Sequence, residues 1–185
     1  MPLNIDTDLI QRAQKGDAHV IQALYEHHYL GVFRYLYYRV GDHQMAEDLT
    51  SEVFLRMLRF LGGFHPPSNT FTPWLYQIAR NLAIDYYRKT GNYEHVQLDE
   101  SLTDGTDRTH EAVERHLTNE MLRKALDHLT PDQRDVILMR FISGMPIAEV
   151  AASLHKTEDA VKGLQRRGLI LLRGILDENE VHYDE

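Results

Sequence analysis

Thr72-Pro73-Trp74-Leu75-Tyr76-Gln77-Ile78-Ala79-Arg80-Asn81-Leu82-Ala83-Ile84-Asp85-Tyr86-Tyr87-Arg88-Lys89 puts an apolar stripe, aromatics, an exposed amide and cations on one helix. Ile78, Leu82 and Tyr86 recur every four residues and are joined by Trp74, Leu75, Ala79 and Ala83, the pattern of an amphipathic helix turned toward a core. The other side carries Gln77, Arg80, Asn81, Asp85 and Arg88. Thr72 is placed to cap the first-turn amides, and Pro73 suits the first helical position because the N–H it lacks would have no helical partner there. Arg88 and Lys89 stand at the end where the backbone dipole is negative. An amide flanked by cations is chemically suited to a separated DNA strand.

Upstream of this helix, Phe64-His65-Pro66-Pro67-Ser68-Asn69 carries two prolines and reads as an exposed loop. Residues 7 to 15 form a short helix interrupted by Gly16-Asp17. A long helix over 18 to 40 follows, with Ile21, Leu24, Tyr25, Tyr29, Val32, Phe33 and Leu36 as its apolar set, ended by Gly41. Asp42 caps the next, running to about 61 with Ala46, Leu49, Val53, Met57 and Phe60 inward, and Gly62-Gly63 stops it. Four helices thus fill residues 7 to 90. From 91 to about 109 periodicity disappears and Asp99, Glu100, Asp104 and Asp107 gather among small polar residues, the composition of a flexible acidic linker. The domain boundary belongs there.

Beyond it, Val113, Leu117, Met121, Leu122, Ala125 and Leu129 repeat at helical spacing. Thr130-Pro131-Asp132-Gln133 restarts the chain with an N-cap, an early proline and a glutamine able to close a capping box, predicting a helix to about 142 before Ser143-Gly144-Met145. Residues 146 to 154 make a short helix, His155-Lys156 a turn, and Thr157 caps a helix to about 176 with Val161, Leu164, Gly168, Leu171, Leu172 and Ile175 inward. This is a helix-turn-helix pattern. Lys162, Gln165, Arg166 and Arg173 point outward with Arg167 at the margin, and Glu158 or Asp159 can accept from cytosine N4. Such groups meet phosphates or base edges, although a helical hairpin with a solvated charged face shows the same spacing.

Composition narrows the classes. The chain has 185 residues, no cysteine and a net charge of −8, enough for one domain or two small ones without disulfides or zinc thiolates. The acidic balance argues against a protein that coats DNA by itself, because nonspecific binding rests on cations that displace counterions from phosphates. No apolar run reaches the roughly 18 to 20 residues needed to span a bilayer, and Met1-Pro2-Leu3-Asn4-Ile5-Asp6 lacks the order of a signal peptide. A cytoplasmic protein without membrane insertion is expected. The eleven histidines, including His27-His28, raise an enzyme or a metal site. The chain has no His-Glu-x-x-His, no di-iron pair of Glu-x-x-His, no glycine-rich phosphate loop and no cysteine nucleophile. No catalytic residue, metal or cofactor is therefore expected.

The order Trp-Leu-x-x-Ile-Ala-x-Asn over 74–81 resembles the promoter-melting segment of bacterial extracytoplasmic-function (ECF) RNA polymerase sigma factors of the sigma-70 family. Ala46-Glu47-Asp48-Leu49-Thr50-Ser51-Glu52-Val53-Phe54-Leu55-Arg56 is similar to the region-two pattern that docks on the polymerase β′ coiled coil. Leu129-Thr130-Pro131 through Leu154, with Asp159-Ala160-Val161-Lys162, resembles region four. The resemblance implies an all-α fold of two small helical domains: region 2 over 1–90, a linker over 91–110, and a region 4 helix-turn-helix domain with an acidic tail over 111–185.

It also implies site residues and partners. Phe64, His65, Ser68, Asn69, Gln77, Arg80, Asn81, Arg88 and Lys89 would read and hold the minus-ten element, with Phe64 or His65 either stacking on a flipped base or tucked onto its own domain. Lys156, Thr157, Glu158, Asp159, Lys162, Gln165, Arg166 and Arg167 would meet the minus-thirty-five element. Asp48, Leu49, Glu52, Val53, Phe54 and Arg56 would contact polymerase. The implied partners are core RNA polymerase, through its β′ coiled coil and β flap, promoter DNA and an anti-sigma factor. The chain departs from the family pattern at Leu164 and Gln165, where an arginine and then a leucine are common, which implies a slightly rotated recognition helix. The rival reading is a helix-turn-helix regulator that binds duplex DNA without polymerase, which accounts for 112 to 176 and leaves the Trp74 helix without a role.

Overall fold

The computed structural model describes residues 7–65, 70–90 and 110–181, with side chains over 7–65, 70–90 and 119–177. Every regular element among them is helical. Helix α1 (Thr7–Gln14) turns at Gly16 into α2 (Ala18–Val40), whose first amides, those of His19 and Val20, donate to the Asp17 carboxylate at 3.1 and 3.4 Å. Gly41 closes α2 at φ +80°, a left-handed conformation that costs glycine little because it has no Cβ. Helix α3 (His43–Leu61) opens on Asp42, which accepts from the Met45 amide at 2.6 Å.

Helix α4 (Phe71–Thr90) starts earlier than expected. Its first bond runs from the Trp74 amide to the Thr70 carbonyl at 3.1 Å, which moves the cap position from Thr72 to Thr70. Pro73 is tolerated there because the first-turn amides have no helical acceptor.

Helices α2, α3 and α4 pack on one another around Leu24, Val32, Leu36, Val53, Met57, Leu75 and Ala79, and α1 lies against α2. The buried stripe of α2 differs from the expected one. Val20, Leu24, His28, Val32, Tyr35, Leu36 and Arg39 are inside, while Tyr25 is exposed and Tyr29 and Phe33 lie at the margin. A periodicity count rejects polar residues, and α2 buries three that have tertiary neighbours. In α3, Phe60 is exposed and Thr50 takes an inner place, its hydroxyl donating to the Ala46 carbonyl at 2.6 Å.

The second unit comprises α5 (His110–Asp127), α6 (Pro131–Ile137), a π-helical turn (Leu138–Ile142), α7 (Ile147–Leu154) and α8 (Glu158–Val181). The capping box forms as expected: the Gln133 amide donates to Thr130 Oγ1 at 3.3 Å and the Thr130 amide to Gln133 Oε1 at 3.1 Å. The helix reaches 142 with a widened last turn, in which the Ser143 amide reaches the Leu138 carbonyl at 3.0 Å. Helix α8 continues past 176 to Val181; Leu172 is buried, and Leu171, expected inward, is exposed. At Gly168 an added Cβ would lie 3.2 Å from Ile137 Cγ1, a tight contact that reflects the close approach of α8 to α6.

The two units share one hydrophobic core. Helix α7 packs on α4 and the π turn on α2. Ser68, Asn69, the expected linker over 91–109 and the end of the acidic tail at 182–185 lie outside the described residues.

Candidate nucleic-acid interface

Helix α4 divides its polar side in two. Asn81, Arg88 and Lys89 are exposed, with Arg88 3.6 Å from Asp85. Gln77 and Arg80 are half-buried beneath the second unit. The Gln77 amide donates to the Ala152 carbonyl of α7 at 3.2 Å, and Arg80 Nε donates to Asp135 Oδ2 of α6 at 2.7 Å, with a second nitrogen 3.6 Å from Asp132.

The start of the preceding loop is held down. The Gln14 side chain donates to the carbonyls of Leu61 and Phe64, and the Phe64 ring lies 4.3 Å from that of Trp74 and 5.9 Å from that of Phe71. Of the two alternatives for Phe64, the structure takes the tucked one. His65 is exposed.

Between the units lies an ionic centre that no local pattern announced. Asp135 is fully buried; its Oδ1 accepts from the Tyr35 hydroxyl at 2.9 Å and from Arg39 Nε at 3.1 Å, and its Oδ2 from Arg80. Burial, reinforced by the Asp135 charge, holds the Tyr35 phenol well above its ordinary pKa, so it stays protonated and donates. Arg39 lies 5.3 Å from the Tyr87 ring, whose hydroxyl donates to the Arg39 carbonyl. Around this centre, Arg134 donates to the Tyr38 carbonyl at 3.0 Å and Ser143 Oγ to the Gly31 carbonyl at 3.3 Å. The one sequence hint was an acid abutting the apolar run Val136-Ile137-Leu138-Met139.

On α8, Glu158, Asp159, Lys162, Arg166 and Arg167 are exposed on the helix that follows the turn, and the Ala160 amide donates to Thr157 Oγ1 at 3.2 Å. His155 makes the turn in the left-handed region at φ 52°. Lys156 and Gln165 are less free. Lys156 Nζ lies 2.8 Å from Asp132, and Gln165 Oε1 accepts from Arg140 Nε at 3.2 Å. Leu164 packs against the core and Gln165 is held by Arg140, so both side chains of this pair have partners within the second unit.

On α3, Asp48 is exposed, and Glu52 and Arg56 form a half-exposed pair at 2.7 Å. Val53 and Phe54 are in the core and Leu49 packs against it, so these three back the stripe. Leu55 and Leu58, 55% and 46% exposed beside it, were not expected; two leucines off the apolar stripe were the available signal.

The sigma-70 region 2 family matches residues 24–93, and the sigma-70 region 4 family matches residues 119–172. The ECF RNA polymerase sigma factor BldN of Streptomyces coelicolor is 38% identical over 174 residues, which cover 93% of this chain and 66% of BldN. The ECF RNA polymerase sigma factor SigX of Bacillus subtilis is 38% identical over 158 residues, covering 82% of this chain and 81% of SigX. The fold is shared with CnrH, solved in complex with the cytosolic domain of CnrY, at a TM-score of 0.75 and 22% identity over 94% of this chain and 98% of that chain. Among the described residues no helix is long and apolar enough to cross a membrane. A duplex-binding regulator independent of polymerase is not favoured, because residues 24–93, ahead of the helix-turn-helix, match sigma-70 region 2 as residues 119–172 match region 4. Two sigma regions in sequence and relatives similar along most of the chain place this protein in the extracytoplasmic-function RNA polymerase sigma factors of the sigma-70 family.

Proposed function

We propose that this sigma factor binds core RNA polymerase, reads and melts the minus-ten element with α4 and the loop before it, and seats α8 in the major groove at the minus-thirty-five element. One observation carries this reading: Asn81, Arg88 and Lys89 are exposed on a helix whose other side is firmly packed, in the same chain as an exposed helix-turn-helix face. Extruding a base costs a few kcal/mol, and stacking on a ring or guanidinium returns about 1–3 kcal/mol per base. With Phe64 committed to Trp74, His65 is the loop ring free to stack, and Ser68 and Asn69 complete the proposed loop contact.

Arg88 and Lys89 hold phosphates, and Gln77 and Arg80 join them once the second unit withdraws. On α8, Lys162, Arg166 and Arg167 face the duplex with Glu158 and Asp159, flanked by Lys156, Thr157 and Gln165. Asp48, Glu52 and Arg56, backed by Leu49, Val53 and Phe54, form the contact for the β′ coiled coil, and the second unit meets the β flap. An anti-sigma factor is the proposed regulator; CnrH, which shares the fold, was solved in complex with the cytosolic domain of CnrY.

Runoff transcription on a genomic fragment library with purified core polymerase tests the whole reading. Start-site selectivity that depends on the protein is expected, and polymerase indifferent to it would overturn the proposal. Asn81→Ala is expected to lower open-complex formation about tenfold, the scale of one lost base contact, while copurification with core polymerase is unchanged. Undiminished abortive transcript yield would remove Asn81 from the site. Arg166→Ala is expected to weaken promoter binding across sequences and to reduce the slope of log affinity against log salt by about 1. An identical slope would show that Arg166 touches no phosphate.

A further inference from the structure

Two consecutive glycines, Gly62 and Gly63, separate α3 from the loop that begins at Phe64. An added Cβ at Gly62 would meet nothing within 4 Å, and one at Gly63 would meet the Phe60 carbonyl oxygen at an ordinary 3.8 Å, so packing does not confine this step. Glycine backbone has the widest conformational range, and the direction in which the chain leaves α3 therefore depends on what is tied down on either side.

One side chain ties both sides. Gln14 Nε2 donates to the Leu61 carbonyl at 3.0 Å and to the Phe64 carbonyl at 2.5 Å, so a single amide group places its two hydrogens at the two ends of the glycine step. The last carbonyls of a helix have no helical donor, which makes Leu61 a ready acceptor; it also accepts from the Phe64 amide at 3.1 Å. Gln14 itself is well seated. It follows Ile10 by one turn and Ala13 by one residue, both buried, and the Arg12–Asp17 pair at 2.8 Å closes the turn behind it. None of the residues assigned above to DNA or polymerase lies on α1.

The Phe64 carbonyl and the His65 amide share one peptide plane. Ring contacts with Trp74 and Phe71 fix where the Phe64 side chain sits, whereas the Gln14 bond fixes how that plane is turned. We propose that Gln14 is a positioning residue for promoter opening: its amide, clipped across Gly62 and Gly63, sets the peptide between 64 and 65 and so presents the exposed His65 ring to the extruded base. This rests on the reading that the loop before α4 receives the minus-ten strand.

The test uses full-length protein with core polymerase on a promoter recovered from the genomic library, as intact duplex and as a heteroduplex whose minus-ten bases are already unpaired. An unpaired base costs less to extrude, so a fault in presenting His65 weighs on the duplex. Gln14→Met is expected to lower the ratio of duplex to heteroduplex transcript by about fivefold, the low end of what one stacked base contributes. Gln14→Glu, which keeps the shape and loses both N–H groups, should do the same, and Gln11→Met at an exposed position of α1 should leave the ratio unchanged. A ratio of yields does not depend on how much protein is folded, which separates positioning from a loss of stability.

His65→Ala should lower the ratio as well, and adding Gln14→Met to it should lower it no further. Emission from Trp74 should be the same in Gln14→Met as in wild type, because α4 holds the Phe64 ring. Equal losses on both templates, a further fall in the double variant, a shifted Trp74 emission or an equal effect of Gln11→Met would each overturn the proposal. If wild-type protein directs selective initiation while both Gln14 variants keep its ratio, Gln14 has no such role and the proposed function stands. A wild-type protein that confers no selectivity removes the proposed function, and this role with it.

Discussion

Truncating Phe71 to alanine is expected to cost about 3–5 kcal/mol of folding free energy, the range for deleting a buried ring and leaving its cavity. Phe71 is 1% exposed at the first turn of α4, with ring centroids of His28, Phe64 and Trp74 at 5.6, 5.9 and 5.7 Å. The ring therefore joins α2, the start of the 64–70 loop and α4. Phe71→Leu retains most of the apolar volume and should cost about a third as much. Urea unfolding followed by the single tryptophan, Trp74, reads both the stability and the local cluster. A loss below about 1 kcal/mol for Phe71→Ala would show that this cluster repacks freely and does not anchor the loop.

Replacing His28 by leucine is expected to remove most of one component of the acid sensitivity of the fold. His28 is buried on α2, its ring near those of Phe71 and His27, and its Nε2 has no hydrogen-bond partner among the described residues. Burial, with a smaller contribution from His27, lowers its pKa from 6.5 to about 4. A base depressed in this way is neutral in the folded state, while the unfolded chain takes up the proton from about 6.5 downward. The stability it permits is complete above pH 6.5 and is lost as pH falls toward 4.

The size of that loss is about 3 kcal/mol, because each tenfold weakening of proton affinity on folding corresponds to roughly 1.4 kcal/mol. Leucine has no proton to gain and no unpaired nitrogen, so the variant should match or exceed wild type at pH 7.5 and hold its stability better at pH 5. Urea midpoints at the two pH values provide the comparison. Parallel loss in both proteins would assign the acid limb to the carboxylates instead.

The helices themselves were readable because their signals are local. The Asp42 cap, the Thr130 and Gln133 capping box, the Thr157 cap and the Gly41 stop all act within one or two turns, and the structure reproduces each. The Thr72 cap missed by two residues because Thr70 offered the same chemistry just outside the quoted stretch. Inward faces were less secure wherever polar residues entered the core. Periodicity can recognise Leu24 and Leu36, but it has no reason to place His28, Tyr35 and Arg39 beside them. The polar side of α4 was legible as a set, and what the pattern did not reveal was its division into the exposed Asn81, Arg88 and Lys89 and the covered Gln77 and Arg80.

By itself the chain determined its helices, their order and the family to which they belong, since caps, breaks and stripes are interactions between near neighbours and survive any arrangement of the units. Only the tertiary structure decided that Asp135 meets Arg39 and Arg80, partners 96 and 55 residues away. The physical reason is that burying a charge is worthwhile only where opposite charges and a hydrogen-bond donor converge in space, and no spacing along a helix encodes that convergence.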